Sequence, residues 1–449
     1  MKKVISILAG IAVFAVLYFC FSVAYANYQI HKTFTDEASY FDRFGVKYEL
    51  IEQQRGLFSS IYKTKLSTII SSNAVSSVTI ESKAAFGVKS FDIFKIGSIY
   101  VTYNYDDTTK ALLKSEYLIN QNITMDIRFD GIEAVVKTKP QNFEAATDYH
   151  GKELIYNYNS GVSTQYIKSS FDAKTFVIKH HMENIVNDTR ELALINVKDL
   201  TFDINFNRNK LNTWIGEVKI GAKNYNITAQ GYRRLDTHIT NYSVNIAANE
   251  QSDGLMSLGF KSGADEFKVL SDELNVTIKD ILLDITISNL DQNGVGDIVN
   301  KLSKINLAMR DREKEIILSS AGVDAMQLLN TRPTINFNFA GSFNGSKINQ
   351  ISGYIQYTGD NAYSFNPSNW QKYLDFEFKY SIDKNMLVSL LQKNARERYK
   401  RTDLTSEEIE FLVEKTTQDT LNKLRSFGTD DINADVITGV FNKNTAASL

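Results

Sequence analysis

With 449 residues and 43% hydrophobic content, the chain is long enough for more than one domain and apolar enough for packed cores, which excludes an intrinsically disordered protein. A formal net charge of −2 excludes a polyanion-binding role driven by an overall basic field, so nucleic acid is not an expected partner. The single cysteine, Cys20, excludes an intramolecular disulfide and a thiolate metal site, while 23 tyrosines and 27 phenylalanines against 3 prolines favour pleated, half-buried surface.

The first element is the run Val4–Ala26, which follows Lys2 and Lys3 and holds no charged residue. A hydrocarbon core about 30 Å thick is crossed by about 20 apolar residues of helix, so the run predicts a transmembrane signal anchor. The rest of the chain has charge and polarity distributed throughout and predicts no second crossing. Lys2 and Lys3 orient the anchor, because basic residues stay on the cytoplasmic side and the bulk of the chain then lies on the far side. Two other readings stay open. Ala24-Tyr25-Ala26 is an A-x-A tripeptide of the kind cut by signal peptidase, which would release a protein beginning at Asn27, although the run is longer than a secretory core of roughly 7 to 15 residues. Lipid attachment at Cys20 would want a small residue before it, and Phe19 is large.

Residues 27–44 mix aromatics with charges, including Tyr28, Phe34, Tyr40, Phe41 and Phe44. They are expected either at the headgroup level, where amphipathic rings gather, or in the core contacts of a short helix. Val46–Ile70 predicts a strand pair turned or bulged near Gly56. The stretch Arg55-Gly56-Leu57-Phe58-Ser59-Ser60, after an anchor and a short extended segment, resembles the N-terminal signature of the YdgA-like family of bacterial envelope proteins.

Period-two alternation then persists. Ile123, Met125, Ile127 and Phe129 point one way while Thr124, Asp126, Arg128 and Asp130 point the other, a strand with one wet face. The same pattern predicts strands at Phe202–Phe206, Tyr242–Ile246, Leu274–Ile278, Leu283–Ile287, Ile335–Phe339 and, longest, Leu374–Ile382. Asp130-Gly131, Asn159-Ser160-Gly161 and Asn344-Gly345 suit hairpin turns. An extended antiparallel meander is the simplest architecture with this pattern.

Helical spacing interrupts it. Ile298, Leu302 and Ile305 predict a short helix over Asp297–Ile305, and Val323–Leu329 predicts a helical turn or two before Pro333. The passage from Val323 to Tyr357 is again similar to the YdgA-like family, at Leu328, Leu329, Pro333, Gly345 and Gly353. From Lys384 the character changes. Met386, Leu387, Leu390 and Leu391 share a helix face, Thr405 with Glu408 is a capping box opening a helix through Leu424, and Phe427-Gly428 is its stop. Thr429–Leu449 has weak periodicity and ends in NKNTAASL, a departure from the strand-like close of that family.

The resemblance implies an inner-membrane-anchored periplasmic protein, similar in build to the AsmA-like envelope proteins, whose long β-sheet grooves are associated with lipids. It brings no catalytic signature. The residues themselves bring none either. His180 and His181 are the first to test as metal ligands, but neighbouring side chains diverge in a strand and do not converge in a helix, and His31, His150 and His238 are scattered. Gly294-Val295-Gly296 lacks the third glycine of a dinucleotide fingerprint, Val299 standing in its place, and reads as a helix-initiating loop. The sequence holds no G-x-S-x-G elbow and no H-E-x-x-H helix. Lys393, Arg396, Arg398, Lys400 and Arg401 read either as a contact to anionic headgroups or as a solvated helix end balanced by Asp403, Glu407, Glu408 and Glu410.

The expected fold class is mainly β with α (α+β): one N-terminal transmembrane helix, an extended antiparallel β-sheet domain and a helical C-terminal section. By residue, this divides into a cytoplasmic N-terminus (1–3), a signal-anchor helix (4–26), a periplasmic β-rich domain (27–383) and the helical section (384–449). No catalytic, cofactor-binding or metal-binding residue is assigned, and no cofactor is expected. The expected function is non-enzymatic: binding or conveying lipid or another amphiphile along an apolar sheet groove, with the inner membrane, and lipid or other envelope proteins, as partners. The alternative is a structural or protein-interaction module of the envelope. An open groove and a sealed core share the same periodicity, so the pattern leaves that choice to the fold.

Overall fold

The computed structural model describes residues 2–35, 46–71, 74–88, 92–107, 110, 122–149, 152–172, 174–189, 192–211, 213–229, 235–271, 275–303, 305, 311–359, 372–399, 404–432 and 434–443. The chain forms two compact units. The first comprises Met1–Glu183, Phe202–Gly216 and Asn293–Ala325, and the second Asn184–Thr201, Glu217–Gln292 and Met326–Leu449.

The first unit opens with helix α1 (Lys2–Thr35). Strands β1 (Lys47–Arg55), β2 (Ser59–Ser71), β3 (Ala74–Phe86), β4 (Lys95–Tyr105), β5 (Asn122–Arg128) and β6 (Gly131–Thr138) follow, each antiparallel to the next. The predicted pair around Gly56 is thus the β1–β2 hairpin, and the predicted strand at Ile123 is β5. Strands β7 (Gln141–Tyr149) and β8 (Lys152–Ser160) make a hairpin of their own. The sheet resumes with β9 (Ser163–Ser170), which pairs with β6 and with β10 (Thr175–Thr189).

Tyr62 on β2, Ile99 and Val101 on β4 and Ile127 on β5 are buried on one face of this sheet, and α1 packs onto it. The helix passes the end of the apolar run at Ala26 without a break, because Val23, Ala26, Ile30 and Phe34 recur at helical spacing on one side. Val23, Ala26 and Ile30 are buried against the sheet, and the Phe34 ring stacks on Tyr62 with centroids 4.4 Å apart. The end of the apolar run therefore serves the protein core. Tyr40, Phe41 and Phe44 lie outside the described residues.

After β11 (Ala193–Arg208) and β12 (Trp214–Ala229), the second unit is a meander of β13 (Leu235–Glu250), β14 (Leu255–Ser271), β15 (Asn275–Asp291), β16 (Thr334–Phe343), β17 (Ile348–Tyr357), β18 (Leu374–Asp383) and β19 (Val436–Asn442). Each strand pairs antiparallel with the next. The two strands predicted at Leu274–Ile278 and Leu283–Ile287 are one strand, β15, and Leu274 lies outside the described residues. Their apolar positions change parity across Asp280, which bulges against β16 with a left-handed φ of 53° that a short polar side chain tolerates. Asn344 and Gly345 form the predicted β16–β17 turn, both left-handed at φ 47° and 81°. The Asn344 amide also donates to the Thr277 carbonyl, and its side-chain oxygen accepts from the Thr277 amide, tying the turn to β15.

Helices α2 (Gln292–Ser303) and α3 (Asp311–Gln327) lie between β15 and β16 in sequence and are both longer than predicted; Leu328–Thr331 adds a 3-10 turn. Helices α4 (Lys384–Tyr399) and α5 (Ser406–Leu424) follow β18. Thr405 and Glu408 form the predicted capping box, and Gly428 ends the passage with a φ of 74°. The weakly periodic tail then returns to the sheet as β19, a strand that the sequence pattern did not predict.

Candidate functional site

The register of the second unit assembles one apolar row across the whole meander. Ile246, Phe260, Ile285, Phe337, Gly353, Phe378 and Phe441 are successive partners from β13 to β19. Directly opposed antiparallel residues project to the same face, so these side chains share one surface. The row two residues along is Val244, Ser262, Leu283, Phe339, Ile351, Tyr380 and Gly439, and it shares that face. The row between them belongs to the opposite face and reads Asn245, Lys261, Asp284, Asn338, Ser352, Lys379 and Val440. One side of the meander is thus greasy and the other polar.

The greasy side is partly covered: Met256 on β14 and Phe376 on β18 are buried, and α4 and α5 close over the β18–β19 edge. There α4 and α5 lay Leu387, Leu391, Leu421 and Leu424 against Tyr380 and Ile437, and Ile437 is fully buried. Asp383 caps α4 at this end, accepting from the amides of Met386 and Lys347 at 2.8 and 3.0 Å, and these bonds hold its carboxyl below the usual aspartate range. Beside it lies a cleft of about 360 Å³ lined by Asn344, Gly345, Asp383, Asn385, Met386 and Ser389, whose carboxylate is already taken up by the cap.

Other positions on this face reach solvent. Ile246, Phe339 and Ile351 are 47, 39 and 43% exposed, and Phe260, Ile285, Phe337 and Phe378 are half-buried. Burying one such side chain contributes roughly 1.5 to 3 kcal/mol, so a contiguous apolar face left in water is a standing cost that an apolar occupant removes. The aromatic rings are already ordered among themselves. Phe337 contacts Phe339 and Phe378, and Phe376 and Phe378 contact Phe441, with centroids 5.4 to 6.1 Å apart.

Residues 1–442 match the model of a family described as bacterial protein of unknown function (DUF945). The chain belongs to that family. No curated protein and no solved structure matches it.

Elsewhere in this DUF945 protein the sequence candidates do not converge. His180 and His181 are consecutive on β10, where the register opposes them to Gln165 and Thr164 and sends them to opposite faces. Burial lowers the His180 pKa, with the neighbouring His181 adding to the effect. Among the described residues, no three or more His, Cys, Asp or Glu side chains gather closely enough to hold a metal ion. Gly294 and Gly296 sit inside the first turns of α2, not in a loop before it. Arg396 on α4 makes two parallel 2.9 Å bonds to Glu410 on α5, so its charge is spent on joining the helices, while Lys400 and Arg401 lie outside the described residues.

What sequence reasoning missed is the second role of α1. The signal was present in the spacing of Val23, Ala26, Ile30 and Phe34, but the change from apolar to polar composition at Asn27 obscured it. Further bonds fix the docked segment: Tyr25 donates to the Phe129 carbonyl at 2.9 Å, Asn27 to Gly56 at 2.8 Å and Tyr48 to Phe34 at 2.8 Å. Burial pushes the Tyr48 hydroxyl up to about 12.

Proposed function

We propose that this protein is a membrane-anchored component of the bacterial envelope that binds lipid or another amphiphile on the open apolar face of β13–β19, without catalysing a reaction. The observation that carries the reading is the exposure of Phe339 and Ile351 on the same face that α4 and α5 cover at β18 and β19. Acyl chains would lie across the Phe337 and Phe339 rows, held by van der Waals contact and exclusion of water. The resemblance to the YdgA-like family, and through it to the AsmA-like build, supports the same choice.

The anchor is retained in this reading. Among the described residues, one helix, α1, is long and apolar enough to cross a membrane. Ala26 lies inside it and is fully buried against the sheet, so cutting after Ala26 would remove a piece of the core. With Lys2 and Lys3 on the cytoplasmic side, the folded units occupy the periplasm.

The test is photo-crosslinking in cells with benzoylphenylalanine at Phe339 or Ile351, and at Lys379 on the polar face as control. Lipid adducts at the first two positions and none at Lys379 support amphiphile binding. Protein adducts without lipid at Phe339 and Ile351 support the second reading, an interaction module. That reading is favoured by the way α4 and α5 already bury one end of the face with protein side chains.

A further inference from the structure

We infer that the first unit carries its own membrane-contact surface: the β1–β2 turn and the turn before β4 insert apolar side chains into the bilayer interface around α1. This rests on the reading of α1 as a retained anchor and adds a second attachment to it. Leu57 and Phe58 in the first turn are 69 and 53% exposed, and Ile93 and Phe94 in the second are 55 and 61% exposed. Four large apolar side chains at the tips of two turns are costly in water.

Contacts with α1 place Phe58 and Ile93 at one level of the helix. Phe58 meets Phe19, with ring centroids 6.2 Å apart, and the Tyr18 hydroxyl donates to the Ile93 carbonyl. That level is where the helix leaves the bilayer. The stretch from Val4 to Phe21 spans about 27 Å at about 1.5 Å per residue, which a hydrocarbon core of about 30 Å takes up completely. From Ser22 and Val23 one side of the helix is buried against the sheet, so no free length separates membrane from fold. The sheet is held flush with the bilayer, and the two turns meet the headgroup zone with the aromatic and aliphatic residues that favour it. Asp92 at the base of the second turn is paired with Arg128 at 3.1 Å, and further polar groups follow at the first turn. Asn27 donates to the Gly56 carbonyl, and the Arg55 guanidinium lies 3.4 Å from the Asn27 side-chain oxygen. The Arg55-to-Ser60 stretch that carries the family resemblance is this turn.

The occupant is the same bilayer that holds α1, and the test measures depth. The full-length chain with Cys20→Ser is spin-labelled at Leu57→Cys or Phe94→Cys, and separately at Leu17→Cys and Leu211→Cys, then reconstituted in phosphatidylethanolamine–phosphatidylglycerol vesicles. Leu57 and Phe94 are exposed, so labelling them removes no core contact. The expected result is a ratio of oxygen to nickel-chelate collisions several-fold higher at 57 and 94 than at 211, approaching that at 17. Labels at 57 and 94 as open to the nickel chelate as the label at 211, with 17 in lipid, overturn the contact surface and leave the anchor standing. A water-exposed label at 17 overturns both.

Discussion

Phe337 on β16 and Phe378 on β18 touch across an intervening strand, with ring centroids 5.4 Å apart, and Gly353 on β17 is the register partner of both. A side chain at that position would separate the rings, and glycine lets them close over the middle strand. The greasy face is therefore continuous from β15 to β19 because one residue in the row has no side chain.

Gly353→Ala tests this directly. A Cβ there falls 2.0 Å from the Glu377 carbonyl oxygen, so β17 and β18 must part. Overpacking of this kind costs about 1 to 3 kcal/mol. The urea midpoint of the detergent-solubilised full chain should fall accordingly, and Gly341→Ala, whose nearest neighbour is a side-chain methyl at 3.2 Å, should fall less. Equal midpoints for wild type and Gly353→Ala would refute the role of the glycine.

Ile30→Ala removes a fully buried side chain from the contact between α1 and the first sheet. Large-to-small changes in a core cost about 2 to 5 kcal/mol. Tyr28→Ala, at an exposed position of the same helix, should stay within about 0.5 kcal/mol of wild type. If both variants unfold together with wild type, α1 is not docked.

Acid should weaken the junction of β18 and α4. Backbone bonds, the one from Met386 first, hold the Asp383 pKa below its unfolded value. Such a group contributes stability that is complete above the unfolded pKa of about 3.9 and is lost as pH falls through the folded value. Asp383→Asn should therefore flatten the acid limb of the stability curve below about pH 4. An unchanged acid slope in this variant would count against the cap.

Arg396→Gln should leave both the unfolding midpoint and vesicle binding where they are. Its partner Glu410 is solvent-exposed like itself, and exposed pairs contribute little. Weaker binding to anionic vesicles, read by co-sedimentation, would revive the basic cluster as a headgroup contact.

Sequence alone determined the local order of this protein. Alternation along Ile123–Phe129 and Ile335–Phe339 became β5 and β16 with one apolar face each, and Thr405 with Glu408 became a capping box, because a strand's pleat and a helix's first turn are set by residues a few positions apart. The fate of each apolar face was decided only by tertiary structure. The burial of Ala26 depends on Tyr62, Ile99 and Ile127, which lie far along the chain, and the exposure of Phe339 depends on where α4 and α5 come to rest. Periodicity records that a side chain avoids water. What it meets instead is fixed by contacts between distant segments, and those leave no periodic trace in the residues themselves.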